Sequence, residues 1–213
     1  MKIIAIMPIK LQNKRLPNKN ILMLGNKPLI TYNLETLKQI EELNSIYVYC
    51  SSEKIVSFLP AGIKFLQRSV ELDSDNTNFT EIFEAFSGEV KADIYVYSHA
   101  TAPFISIDSI NKCINAVLYE NHDSAFTATK IQDFLWNKNY NPLNFDAQNI
   151  PRSQDVEPIY KETSGVYVFK KEVFEKLKRR VGINPKIIEV NFKESIDINT
   201  REDFEIAKIF LNQ

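Results

Sequence analysis

Several absences narrow the possibilities for this 213-residue chain before any motif is read. It has two cysteines, Cys50 and Cys113, and no C-x-x-C pair, which excludes a disulfide framework and a cysteine zinc site. Cys50 falls in an apolar strand-like run and Cys113 in an apolar helix-like one, so both are expected as reduced core thiols. No apolar stretch approaches the roughly 18 residues that cross a bilayer. The opening apolar run is short and has no signal-peptide cleavage pattern, so a cytoplasmic protein without a membrane partner is expected. Net charge is nearly absent as well. The 26 Lys and Arg against 27 Asp and Glu leave −1, which gives no ground for a nucleic-acid partner. An apolar fraction of 44% and a charged fraction of 25% are those of one ordinary soluble domain with a full core.

Two further absences are local. The chain has neither G-x-x-x-x-G-K nor G-x-G-x-x-G, so the usual glycine-rich phosphate loops are missing. It also has no acidic residue before Glu35, although "IMPIKLQNKRLPNKN" (6–20) carries Lys10, Lys14, Arg15 and Lys19. A nearly neutral protein thus places unbalanced positive charge directly after its first apolar run.

Periodicity supplies the fold class. "KIIAIMPI" (2–9) is a continuous β-branched run of the kind buried on both faces of a sheet. "KPLITYNLETLKQI" (27–40) has helical spacing with Pro28 suited to a first turn. Strands are predicted at 45–50, 63–68, 92–100, 124–131, 164–170 and 185–190. Helices are predicted at 77–90, 106–121, 171–180 and from Arg201, the last with Thr200 as N-cap and Asp203 three residues on. The alternation implies an α/β domain over residues 1–213, with a mostly parallel sheet and helices on both faces. Residues 132–160 break the rhythm with Pro142, Pro151, Pro158 and several Asn and Asp. They read as an extended loop or arm, whose Phe134, Trp136, Tyr140 and Phe145 need a surface to pack on.

In open α/β sheets, ligands bind beyond the carboxyl ends of the strands, which is where the chemistry-bearing residues fall. The basic loop, with Asn13 and Asn20 as hydrogen-bond formers, suits a polyphosphate, or is a solvated basic loop. In "SIDIN" (195–199), strand alternation would put Asp197 and Asn199 on one face and Ile196 and Ile198 on the other. That pair suits Mg²⁺, or is a polar strand end feeding the Thr200 cap. "SHATAPF" (98–104) puts His99 and Thr101 just past a buried strand, in a structural or an acceptor-binding role. "IPRSQDVEPIYKETSG" (150–165) offers Arg152, Gln154 and Lys161, which could grip an acidic molecule or form ordinary surface.

Taken together, these stretches resemble the acylneuraminate cytidylyltransferase family. "MPIKLQNKRLPNKN" is similar to the family's I-P-A-R-G-G-S-K-R-L-P-x-K-N, and "QRSVELDSD" (67–75) to R-P-x-E-L-A-x-D. "HATAPF" stands where the family has Q-P-T-S-P-L, and "PRSQDVEPIYKETSGVYVF" resembles R-x-Q-D-L-P-x-x-Y-R-x-N-G-A-I-Y. "ESIDINTREDFEIA" resembles S-I-D-I-D-T-x-x-D-F-x-x-A. The resemblance implies a nucleotide-diphospho-sugar transferase-like fold and transfer of CMP from CTP to an acidic 2-keto sugar, with release of pyrophosphate, for surface polysaccharide synthesis. It implies Lys10, Lys14 and Lys19 around the triphosphate, with Asn13, Asn20, Arg68, Ser74 and Asp75 on the nucleotide. His99, Thr101, Arg152, Gln154 and Lys161 would meet the acceptor, and Asp197 and Asn199 would hold Mg²⁺. It also implies a homodimer formed through the arm. Four departures stand out: Lys10 replaces an arginine, Leu11-Gln12-Asn13 replace G-G-S, His99 replaces a glutamine, and Asn199 replaces the second aspartate. These departures leave two alternatives open, a non-sialic or phosphorylated acceptor and a nucleotide-binding protein without catalysis.

Overall fold

The computed structural model describes residues 1–211; the last two residues of the expected domain lie outside the described residues. The first predicted strand forms as β1 (Ile3–Ile9), and every residue in it but Pro8 is buried. Its side chains divide by parity, as strand geometry requires. Ile3, Ala5, Met7 and Ile9 enter one core, and Ile4 and Ile6 enter the other. A short hairpin follows, β2 (Met23–Leu24) against β3 (Lys27–Pro28), turning at Gly25 with φ +64°. A side chain at Gly25 would run into Leu211, so the turn needs glycine twice over.

Helix α1 (Leu29–Leu37) and strands β4 (Ser45–Cys50) and β5 (Lys64–Gln67) come next. Helix α2 (Phe79–Glu89) starts on a capping box, in which Asn78 and Glu81 satisfy each other's backbone N–H groups. The chain continues through β6 (Ile94–Ser98), α3 (Ile107–Leu118), β7 (Ser124–Ile131), β8 (Ile159–Lys170), α4 (Lys171–Leu177), β9 (Pro185–Glu189) and α5 (Arg201–Leu211). The main sheet has the order β5-β4-β1-β6-β8-β7-β9. All its strands share one direction except β8, which is antiparallel to both of its neighbours. Helices α1 and α3 cover one face and α2 and α4 the other. Cys50 and Cys113 are free and buried, as expected.

Two features bear on the site. First, β8 carries a large bulge: from Tyr167 to Glu162 it uses five positions, while β7 advances two, from Phe126 to Ala128. Such bulges re-aim side chains and end regular pairing. Gly165 lies in this bulge, and a Cβ there would come within 2.9 Å of Ile105 Cδ1 and Thr127 Oγ1. Second, a separate apolar cluster joins Leu16 of the basic loop to Ile196, Ile198 and the α5 residues Phe204 and Ala207. It pins the loop after β1 to residues 196–198.

The expected strand at 195–199 is not part of a sheet. It is extended chain held by a bond from Ile198 N–H to the Thr101 carbonyl at 2.8 Å. The alternation survives all the same, because Ile196 and Ile198 are buried in that third cluster. Helix α4 stops three residues short of the predicted 180, because Lys178 takes the left-handed conformation, φ 53°. Residues 132–158 connect β7 to β8 and make one isolated bridge, Trp136 with Pro142. Phe134 and Trp136 both meet the edge of Phe145, and Tyr140 stays exposed.

Candidate active site

Because β1, β4, β5 and β6 run in parallel, the segments after Ile9, Cys50, Gln67 and Ser98 gather at one end of the sheet. The basic loop lies there, and its missing counter-charge is found 65 residues away. Asp75 accepts a hydrogen bond from Lys10 Nζ at 2.8 Å through one oxygen and pairs with Lys14 through the other. Hydrogen bonds from the two ammonium groups hold the Asp75 carboxyl at about 2, and the bond to Asp75 raises the Lys14 ammonium. A cavity of about 590 Å³ opens beside them, lined by Lys10, Asn13, Lys14, Ser74 and Asp75 among others. The Asn13 side-chain oxygen is buried and unpartnered. Asn20 has a scaffolding position instead, its amide donating to the Lys10 carbonyl at 2.9 Å.

Arg68 leaves the end of β5 and is buried. One of its nitrogens donates to Asp73 at 2.6 Å, while its Nε is buried without a partner. Its guanidinium carbon lies 5.9 Å from the centre of the Tyr49 ring.

Farther along, a cavity of about 320 Å³ brings Lys10, Asn13, Lys14, Arg15 and Lys19 to Asp75 and Asn199. Lys19 Nζ donates to the Ile198 carbonyl and to Asn199 Oδ1, both at 3.0 Å, and Arg15 donates to the same Oδ1 at 3.0 Å. Burial depresses the Lys19 ammonium below its ordinary value; Asp197 opposes that shift and Arg15 adds to it. The other end of the Asn199 amide donates to Asp197 Oδ2 at 2.7 Å. The amide is therefore a polar bridge with a forced orientation: oxygen to the cations, nitrogen to the carboxylate. Asp203 fixes it from below, accepting from the Asn199 and Thr200 N–H groups at 2.9 and 2.8 Å in the predicted cap.

Asp197 Oδ2 also accepts from Ser164 Oγ at 3.0 Å, whereas its Oδ1 is buried with no partner. An unpartnered carboxylate oxygen is what a hard divalent cation requires, and Mg²⁺ is satisfied with one or two carboxylates plus substrate phosphates. Asp197 therefore fits such an ion. The Asn199 oxygen is already committed to Lys19 and Arg15. Among the described residues, no cluster of three or more His, Cys, Asp or Glu side chains forms a self-sufficient metal cage.

The β8 bulge aims Ser164 in two directions. Its hydroxyl meets Asp197, and its carbonyl lies 2.8 Å from His99 Nδ1. His99 therefore donates through Nδ1 and leaves Nε2 as an acceptor. Burial and the nearby Arg180 lower its pKa to about 4, against the pull of Ser164 and Asp197. Lys161, Ser164, Asp197 and Asn199 line a further cavity of about 430 Å³. Thr101 stands behind this region, its carbonyl holding Ile198. Arg152 and Gln154 are not brought to it. They sit on an exposed turn, where Arg152 Nε donates to Asp155 at 2.7 Å and the Gln154 carbonyl accepts from Gln132. Sequence reasoning overlooked Ser164 and Arg180, since nothing in a linear pattern marks a bulge or the end of a helix three residues early.

The fold is shared with solved α/β proteins. It superimposes on the solved CMP:2-keto-3-deoxy-manno-octonic acid synthetase complexed with CTP at a TM-score of 0.76, with 18% identity, over 100% of this chain and 99% of that one. The chain belongs to the cytidylyltransferase family, whose pattern it matches over residues 4–212. It is 29% identical to an N-acylneuraminate cytidylyltransferase of Escherichia coli over 97% of its length, and spans 51% of that protein. It is also 25% identical to a pseudaminic acid cytidylyltransferase of Campylobacter jejuni, covering 98% of this chain and 96% of the other. The chain thus spans about half the length of its acylneuraminate relatives. No helix among the described residues is long and apolar enough to cross a membrane.

Proposed function

We propose that this protein transfers CMP from CTP to the anomeric hydroxyl of an acidic 2-keto sugar. The acceptor oxygen attacks the α-phosphorus, the bond to the β-phosphate breaks, pyrophosphate leaves and the hydroxyl proton passes to solvent. The observation that carries this reading is a cavity that sets the Lys10–Asp75–Lys14 cluster beside Lys19 and Asn199, which in turn bond on through Asp197 and Ser164 to His99. Lys10 and Lys14 bind the β- and γ-phosphates, and Lys19 meets charge developing near the α-phosphate. Preorganised cations of this kind lower such barriers mainly by electrostatics. Arg68 and Asn13, each with a buried unpartnered polar atom, face the nucleoside together with Ser74. Asp197, with its Oδ1 free, would hold a divalent cation, which when bound would neutralise charge on the phosphate oxygens. His99, neutral at physiological pH, orients the acceptor hydroxyl rather than carrying a proton.

The names of the relatives support an acidic sugar acceptor, and its use in surface polysaccharides is part of the same proposal. The exposed apolar side chains of the 132–158 excursion, Trp136, Tyr140, Leu143 and Ile150, support a homodimer formed through it. Arg152 and Gln154 reach an acceptor only if that assembly carries them to one.

Thermal unfolding with Mg²⁺ and CTP, beside ATP, GTP and UTP, tests the nucleotide half. At a hundredfold excess over Kd, CTP should raise Tm by roughly 5–10 °C. Pyrophosphate release is then measured with N-acetylneuraminate, pseudaminate and 3-deoxy-manno-octulosonate. A CTP shift without release from any acid would favour a nucleotide-binding protein, a reading to which Asn199 lends some support. No shift with CTP would overturn the proposal.

A further inference from the structure

Arg180 entered the site described above only through its charge on His99, yet it is built like a recognition group. It lies two residues past the left-handed Lys178 that ends α4, so it points away from the helix register. Its guanidinium carbon sits 3.7 Å from the centre of the Tyr167 ring, with Phe79 and Tyr97 at 5.5 and 6.0 Å. At that distance the guanidinium lies directly over the ring face. The only carboxylate oxygen within 4 Å among the described residues belongs to Glu162, at 3.8 Å, which is too long for a hydrogen bond. That same oxygen already accepts the Tyr167 hydroxyl at 2.7 Å. Arg180 donates no hydrogen bond among the described residues, and its side chain is 28% exposed, so its donors are open to solvent. An arginine needed only to cap an aromatic core has no reason to lie over a ring with its donors unspent.

Its position matters as much as its state. The His99 ring packs edge-on against the same two tyrosines, at 5.2 Å from Tyr97 and 6.3 Å from Tyr167. Arg180 and His99 thus share one aromatic platform at the carboxyl end of β6, and the charge on Arg180 is felt at His99. Arg68, at the proposed nucleotide end, lies over Tyr49 instead, and the charges of both guanidinium groups are felt at the Tyr97 hydroxyl. The Tyr97–Tyr167 platform thus sets Arg180 beside His99, and Lys10, Lys14 and Lys19 are all committed elsewhere.

We propose that Arg180 is a specificity-determining residue of the acceptor end, taking a carboxylate of the acceptor on its fork, with Glu162 as the resident group that such a carboxylate meets and outcompetes. This rests on the functional reading above and deepens it. A bidentate, charge-assisted pair is among the strongest hydrogen-bonded contacts available, and only a planar guanidinium supplies it. Glu162 would add discrimination, because an acid that cannot reach the fork leaves two like charges side by side.

The test uses the full chain in wild-type, Arg180→Gln, Arg180→Lys and Glu162→Gln forms. CTP is titrated into each. N-Acetylneuraminate, pseudaminate and 3-deoxy-manno-octulosonate are then titrated into protein saturated with CMP, followed by the methyl ester of whichever acid binds best. Arg180→Gln should weaken the acid roughly ten- to hundredfold, the range expected for a lost charge-assisted pair, with CTP affinity unchanged. The ester should bind wild type and Arg180→Gln alike, and Glu162→Gln should tighten the acid. If Arg180→Gln does not fold, Arg180→Lys, which keeps the charge and loses the fork, carries the same comparison with a smaller loss. Equal acid affinity in wild type and variant would overturn the inference. So would an equal loss of CTP affinity, which would make phosphate the partner, or failure of all three acids to bind a wild type that binds CTP. Failure of the functional reading would look different, because the wild type would then not bind CTP at all.

Discussion

The two ends of this site handle charge in opposite ways. At the basic loop, Lys14 is 83% exposed and Asp75 47%, and the ion pairs between them form largely in water. At the far end, His99 and Arg180 are set into tyrosine rings, and Asp197 keeps one oxygen buried and unpartnered. Exposed pairs contribute little to stability and exchange readily for a better partner. Buried polar atoms are costly when unsatisfied and strong when a ligand completes them. On the proposed function, the difference would suit the loop to exchanging Asp75 for phosphate and the far end to holding the reacting groups in one geometry.

Substitutions break or sharpen this contrast, beginning at the buried end. Asp197→Ala should lower turnover by roughly 10²–10³-fold, the usual loss for one preorganised electrostatic contact, while Kd for CTP changes far less. Pyrophosphate release against nucleotide titration measures both, and an active variant would place the cation elsewhere.

His99 makes the next largest contribution, through pH. Its folded pKa of about 4 lies below the ordinary 6.5, so the unfolded chain binds more protons between those values. Stability from this group is complete above pH 6.5 and is lost as pH falls toward 4, amounting to roughly 2–4 kcal/mol. The exposed Asp75 titrates near 2 and does not contribute in that window. Urea unfolding from pH 4 to 7.5 should therefore show a slope that His99→Gln flattens, and an unchanged slope would assign it to another group.

Gly165→Ala probes the bulge beneath the buried end. Two contacts at 2.9 Å leave no room for a methyl group, and overpacking of this kind costs roughly 1–3 kcal/mol. Because the bulge aims Ser164 at Asp197 and His99, turnover should fall along with Tm.

At the loop the effects on stability should vanish while those on binding persist. Lys14→Ala should leave Tm unchanged and weaken CTP. Asp75→Asn should also leave Tm unchanged; tighter pyrophosphate binding would show that Asp75 stands in for phosphate, and weaker CTP binding would instead put it on the ribose, as the resemblance implies.

Much of this molecule was legible in order, and far less of it in arrangement. Strands 45–50 and 124–131 form at their expected bounds, and Thr200 and Asp203 form the cap that their spacing announces. These are local facts, set by side-chain alternation and by hydrogen bonds between near neighbours. The antiparallel course of β8 left no trace in its composition, since a strand buried on both faces looks alike in either direction. The same holds for its bulge, which delivers Ser164 to Asp197 across 33 positions of sequence.

Charge shows the division most plainly. The chain by itself determined that positive residues crowd the end of the first strand with no acid before Glu35, and that Asn199 follows Asp197 at strand spacing. Only the tertiary structure decided that Asp75 answers Lys10 and Lys14, that the Asn199 oxygen turns to Lys19 and Arg15, and that Arg180 lies unspent on Tyr167. The physical reason is one of range. Propensity and capping act within a turn or a strand, whereas ion pairs and unpartnered polar atoms depend on which distant segments the packed core brings into contact.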